Sequence, residues 1–165
     1  MTITEPVRKY ILSGIVACVV IGLIVANVLA SKQDEDFSSN DILYSQAIQL
    51  QAEGNYEDAW NAVSKVLKTE PNSEIANYLA GIIAVNRGDV KQAAIYMQKT
   101  LDINPHKVED ATFMIQLGEI FVAAEKYEEA KIVLLRCQES GWAPEEIPNY
   151  QDHVAALLAQ IENSQ

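Results

Sequence analysis

Histidine and cysteine are scarce, each occurring twice in 165 residues. Cys18 sits inside an apolar run and Cys137 lies far along the chain, so neither a disulfide framework nor a cysteine zinc site can be built. His106 and His153 alone cannot supply a histidine metal site or a Cys–His nucleophile pair. Cations are also few: 12 Lys and Arg stand against 23 Asp and Glu, for a formal charge of −11. A phosphate backbone demands a basic face, so nucleic-acid binding is disfavoured. No glycine-rich phosphate loop or GKS/GKT motif is present. The carboxylate pairs Glu128-Glu129 and Glu145-Glu146 are adjacent along a helix and point to different sides, as solvated faces do. The expectation is a chain that is not an enzyme and carries no cofactor and no metal.

The charge is unevenly spread. Residues 10–30, Tyr10 to Ala30, contain no charged side chain and twelve Ile, Leu or Val residues. As a helix at about 1.5 Å per residue this run spans roughly 31 Å, the thickness of a bilayer core. Arg8 and Lys9 precede it, whereas Lys32 is followed by Asp34, Glu35 and Asp36. The positive-inside bias therefore keeps residues 1–9 cytoplasmic and sends the body across the membrane. Two cleavage readings compete with a permanent anchor: Val28-Leu29-Ala30 resembles a signal-peptidase site, and Ile15-Val16-Ala17-Cys18 a lipoprotein box. The run is longer than the roughly 7–15 residues of a signal h-region, which favours the anchor. Within it Gly14, Cys18, Gly22, Ala26 and Ala30 recur every fourth residue, a small-residue stripe that suits helix–helix packing or self-association, with Asn27 beside it able to add a hydrogen bond.

Beyond residue 33 the chain carries 22 acidic against 9 basic residues. Residues 31–40 are polar and read as a linker whose Ser38-Ser39-Asn40-Asp41 offers helix N-caps. Repetition follows. A shift of 34 superposes Ala47 on Gly81, Gly54 on Gly88, Ala59 on Ala93, Leu67 on Leu101 and Pro71 on Pro105. A shift of 37 superposes Gly81 on Gly118, Ala84 on Phe121, Ala93 on Ala130 and Met97 on Leu134, which requires a three-residue insertion around Val108-Glu109-Asp110. Apolar residues recur at helical spacing in segments of about 14 residues separated by glycine turns, giving two amphipathic helices per unit. One pair cannot bury its faces alone, so the units must stack. Cys137 falls where Val66 and Thr100 stand in the other units, the place of a small packed side chain.

Gly54-Asn55-Tyr56-Glu57-Asp58-Ala59 and Gly88-Asp89-Val90-Lys91-Gln92-Ala93 resemble the turn and second-helix start of the tetratricopeptide repeat (TPR), and Glu125-Lys126-Tyr127-Glu128-Glu129-Ala130 is similar without the glycine. Trp142 stands where the closing proline would be. The resemblance covers roughly 40–140 and implies a right-handed α-solenoid of three helix pairs at 41–73, 74–107 and 108–141; with the uncharged run read as a single transmembrane helix at 10–30 and a capping segment at 142–165, the expected fold is all-α. In that segment Pro148 sits near a helix start and Val154, Leu157, Leu158 and Ile161 form one apolar stripe, which predicts a helix over about 147–162 packed by Trp142 and Tyr150.

The resemblance also implies that the first helix of each unit lines a concave groove. It places there Asp41, Tyr44, Ile48, Gln51 and Ala52 from the first unit, and Ile75, Tyr78, Ile82, Val85 and Asn86 from the second. The third unit adds Thr112, Ile115, Glu119, Val122 and Ala123. The cations of a carboxylate clamp are missing, and an apolar groove with tyrosines suits an apolar helix or extended segment of another protein. Packing of Ile48, Ile82 and Val122 between units, or occupation by the chain's own linker, are the competing readings. The layout is similar to that of bacterial membrane-anchored TPR proteins that help assemble membrane or exported complexes. It implies the inner (cytoplasmic) membrane, with the repeats periplasmic or otherwise extracytoplasmic. The alternative is a constitutive small subunit of a respiratory or photosynthetic membrane complex, docked through the transmembrane stripe.

Overall fold

The computed structural model describes residues 39–164 without interruption and, upstream, residues 19, 21–23, 25 and 26. It divides into two units at Ile42/Leu43. In the first, the described upstream residues are helical, and Val19, Ile21, Leu23 and Val25 are exposed. Gly22 and Ala26 of the small-residue stripe are exposed as well, and a Cβ on Gly22 would meet nothing within 4 Å. Gly14, Cys18, Asn27 and Ala30, and most of the expected 10–30 span, lie outside the described residues. Among those described, no helix is long and apolar enough to cross a membrane.

The second unit is all-helical, with no strand among the described residues. Helix α1 occupies 39–52, of which 43–52 belong to this unit. It is followed by α2 (Tyr56–Thr69), α3 (Glu74–Asn86), α4 (Val90–Ile103), a 3₁₀ turn (Pro105–Glu109), α5 (Ala111–Ala123), α6 (Tyr127–Ser140) and α7 (Tyr150–Ser164). The helices pair as α3/α4 and α5/α6, α1 joins α2 by burying Ala47 in one cluster with Ala59 and Val63, and α7 packs on α6 and α5 in a solenoid resembling stacked TPR units.

The turn inside each pair is built identically. The amide of Gly88 donates to the Val85 carbonyl and that of Asp89 to the Ala84 carbonyl. Gly54 and Asn55 bond Gln51 and Leu50 in the same way, and Glu125 and Lys126 bond Val122 and Phe121. This is the Schellman closure, which needs a left-handed residue just past the helix. Gly54 and Gly88 supply it at φ +79° and +80°, and in the third pair Glu125 adopts φ +60° although it carries a side chain. The next residue caps the following helix: the Asn55 and Asp89 side chains accept from the amides of Asp58 and Gln92, whereas Lys126 has no acceptor to offer and makes no such bond.

The partners within each pair approach at small residues. Ala59, Ala93 and Ala130 are fully buried. A Cβ on Gly81 would lie 2.8 Å from Met97 Cγ, and one on Gly118 would lie 2.6 Å from Leu134 Cδ2. Val66, Thr100 and Cys137 are likewise enclosed. At the end of the second pair Asn104 Nδ2 donates to Glu74 Oε2 at 2.8 Å, and Lys107 reaches Asp110 at 3.0 Å and Glu74 at 3.7 Å, so the 3₁₀ turn ties α3 to the entry of α5. Arg87 pairs with Glu57 at 2.9 Å and lies 4.9 Å from the Trp60 ring centre, and Trp60 meets Tyr96 edge-on at 5.6 Å.

The tail helix begins at Tyr150, three residues beyond the expected Ile147, because Pro148 and the left-handed Asn149 (φ +61°) form a turn there. Tyr150 is enclosed in the core, where its hydroxyl donates to the Ala111 carbonyl at 2.9 Å and its ring meets Trp142 edge-on at 6.5 Å.

Candidate functional site

The first helices α1, α3 and α5 carry the inner-face positions. Tyr44 and Gln51 are half-buried on α1 and Ile48 is exposed. On α3, Ile75, Val85 and Asn86 are exposed while Tyr78 and Ile82 are half-buried. Burial pushes the Tyr44 hydroxyl above the usual tyrosine range, and the nearby Tyr78 adds to the shift. The Tyr78 hydroxyl donates to Gln116 Oε1 across 2.9 Å, and its ring lies 6.1 Å from that of Phe113, so this tyrosine joins α3 to α5.

The third pair corrects the expected lining. Ile115 and Val122 are only 3% and 6% exposed, within one buried cluster with Tyr150, Val154 and Ile161 of α7. The tail helix does more than close the end of the stack: it runs beside α5, touching Ala111 through Tyr150 and Glu119 through His153, and covers part of its inner face. His153 of α7 lies against Glu119 of α5, Nε2 to Oε1 at 2.6 Å, on the same side. Ile115 and Val122 are therefore core residues, and neither lines the open cleft. Thr112, Glu119 and Ala123 remain accessible.

What remains open is a cleft of about 290 Å³ between α3 and α5. Ile82, Val85, Val90, Ile120 and Ala123 give it apolar walls, and Asn86, Gln116 and Glu119 supply the polar groups. The sequence analysis named Ile82, Val85, Asn86, Glu119 and Ala123. It missed Gln116 and Ile120, which neighbour inner-face positions on α5, and Val90, which belongs to the first turn of α4 and so falls outside any rule based on first helices. No Lys or Arg lines the cleft. The nearby Lys107 is committed to Asp110 and Glu74.

Elsewhere the chemistry is quiet. Cys137 is enclosed, and burial pushes its thiol up, away from the reactive thiolate. His106 is exposed in the 3₁₀ turn, and among the described residues no three His, Cys, Asp or Glu side chains are grouped to hold a metal ion.

No protein-family model and no curated protein matches the sequence. Solved structures do. The first TPR domain of human RPAP3 superposes with a TM-score of 0.61 at 19% identity, over 77% of this chain and 98% of that one. The type III secretion translocator chaperone SycD of Yersinia enterocolitica gives 0.60 at 18% identity, over 75% and 83%. The Sgt2 TPR domain of Aspergillus fumigatus gives 0.57 at 17% identity, over 76% and 78%. At such identities the likeness shows the fold, and that fold is the tetratricopeptide repeat. SycD has been solved with a peptide of the translocator YopD, and the first TPR of Spaghetti (RPAP3) with the HSP90 peptide SRMEEVD.

Proposed function

We propose that this chain is a membrane-held scaffold that binds a segment of another protein in the α3/α5 cleft and thereby assists assembly of a membrane or exported complex. The observation that carries the binding role is the open cleft itself, apolar on its walls with amide and carboxylate groups beside them, on a fold whose neighbours were solved with peptides. Binding rather than catalysis is the work assigned, since Cys137 is enclosed and the two histidines lie on separate elements. The membrane role rests on the uncharged run 10–30 and its flanking charges, which favour an extracytoplasmic repeat unit in the inner membrane of a bacterium.

A photo-crosslinking residue at Val85 in native membranes is expected to give a discrete adduct that the same residue at Ile95, an exposed α4 position outside the cleft, does not. Equal labelling from both would remove the cleft as the binding site. For topology, in a Cys18→Ser background, a membrane-impermeant thiol reagent should label Ser39→Cys but not Thr4→Cys in intact spheroplasts; the reverse would invert the orientation. The small-residue stripe favours a second reading, a constitutive subunit of one membrane complex. Fixed stoichiometry in the purified complex would select it over a recycling scaffold.

A further inference from the structure

Resting on the groove reading above, we infer that the occupant of the α3/α5 cleft is a basic apolar segment: an apolar side chain between Ile82, Val85 and Ile120, flanked by a lysine or arginine that meets Glu119. Three observations converge on it. Glu119 is the one charged residue among the eight that line the cleft, and no lysine or arginine stands among them. His153 takes only Oε1 of its carboxylate, at 2.6 Å, and both side chains are 44% exposed, so Oε2 remains for an incoming donor. Gln116 accepts from Tyr78 through its carbonyl oxygen, which leaves its amide nitrogen to donate to a main-chain carbonyl of the segment.

The surroundings act in the same direction. Between residues 39 and 165 there are 19 Asp and Glu against 9 Lys and Arg, a field that draws in a cationic segment and repels an acidic one. A peptide such as SRMEEVD, solved on the Spaghetti (RPAP3) domain, carries the wrong charge for this cleft. An uncharged apolar segment would fill the walls but bring no donor to Glu119 Oε2 at their edge.

Two synthetic helical peptides test the inference against the full chain in nanodiscs, by fluorescence anisotropy. One carries leucines at helical spacing flanked by lysines; its twin has glutamates in place of the lysines. The lysine probe is expected to bind about tenfold more tightly than the twin at low salt, a preference that shrinks as salt rises. Glu119→Gln, which keeps a bonding partner for His153, should cut that preference about fivefold with the melt unchanged. Val85→Ser should weaken both probes. If the twin binds as well as the lysine probe, or the preference survives Glu119→Gln, the inference falls while the groove reading stands. If neither probe binds, or Val85→Ser changes neither, the groove reading falls and this inference with it.

Discussion

At the scale of single residues, the third helix pair carries a local conflict that the other two avoid. Gly54 and Gly88 occupy the left-handed region at no steric cost, whereas Glu125 holds φ +60° with a Cβ, and its neighbour Lys126 cannot cap α6 as Asn55 and Asp89 cap α2 and α4. A left-handed non-glycine residue costs about 1–2 kcal/mol, against roughly 0.5–1 kcal/mol for the chain entropy that glycine adds to the unfolded state. Glu125→Gly is therefore expected to stabilise the chain by about 0.5–1 kcal/mol, contrary to the usual effect of introducing glycine, read as a shift in a urea midpoint. A loss of stability would mean that Glu125 gains more from its surroundings than its backbone loses. The glycines at helix contacts work through space instead. Gly118 faces Leu134 and Gly81 faces Met97, both fully enclosed, so a Cβ at either glycine would have to displace a packed side chain.

At the scale of elements, α7 is where stability and binding surface meet. Tyr150, Val154 and Ile161 are enclosed, and each such side chain contributes about 1.5–3 kcal/mol when buried, so removing the helix forfeits an amount comparable to the whole stability of an ordinary domain. Truncation after Ala143 is expected to lower the melting temperature steeply and to expose Ile115 and Val122 to an apolar dye. An unchanged melt would show that α7 is not part of the core. The helix pairs were legible in the sequence because a 34-residue period, small residues at the contacts and Gly-Asn or Gly-Asp turns all point to one geometry. The inner face of the third pair was not. Repeat register says which positions face inward, but what covers them is the next element, and α7 is not a repeat. Val122 gave no local sign of it: Val85 is equally apolar at the same position of the second unit and stays exposed. Cleft residues Gln116 and Ile120 were missed for a related reason: the cleft forms between helices, so its walls include positions beside the inward-facing ones.

At the scale of the whole repeat unit, burial is graded along the stack. α5 encloses eight residues, Phe113 to Ile115, Leu117, Gly118 and Ile120 to Val122, because helices lie on both sides of it. Over 43–52, α1 encloses only Ala47, with Leu43, Tyr44 and Leu50 partly covered. The core accordingly forms two clusters, one around α2 and α3 and a larger one around α5, α6 and α7, with Trp60 packed against both. Stacked repeats behave as coupled neighbours, so opening should start where neighbours are fewest. The cleft between α3 and α5 is set in the well-buried part, which keeps its walls preorganised for a segment that must be ordered on binding. Amide hydrogen exchange on the full chain at neutral pH is expected to show residues 43–52 exchanging about ten- to a hundredfold faster than α5, with α3 between them. Uniform protection across the three helices would mean that the stack opens as one block, and that the graded burial along it has no counterpart in its dynamics.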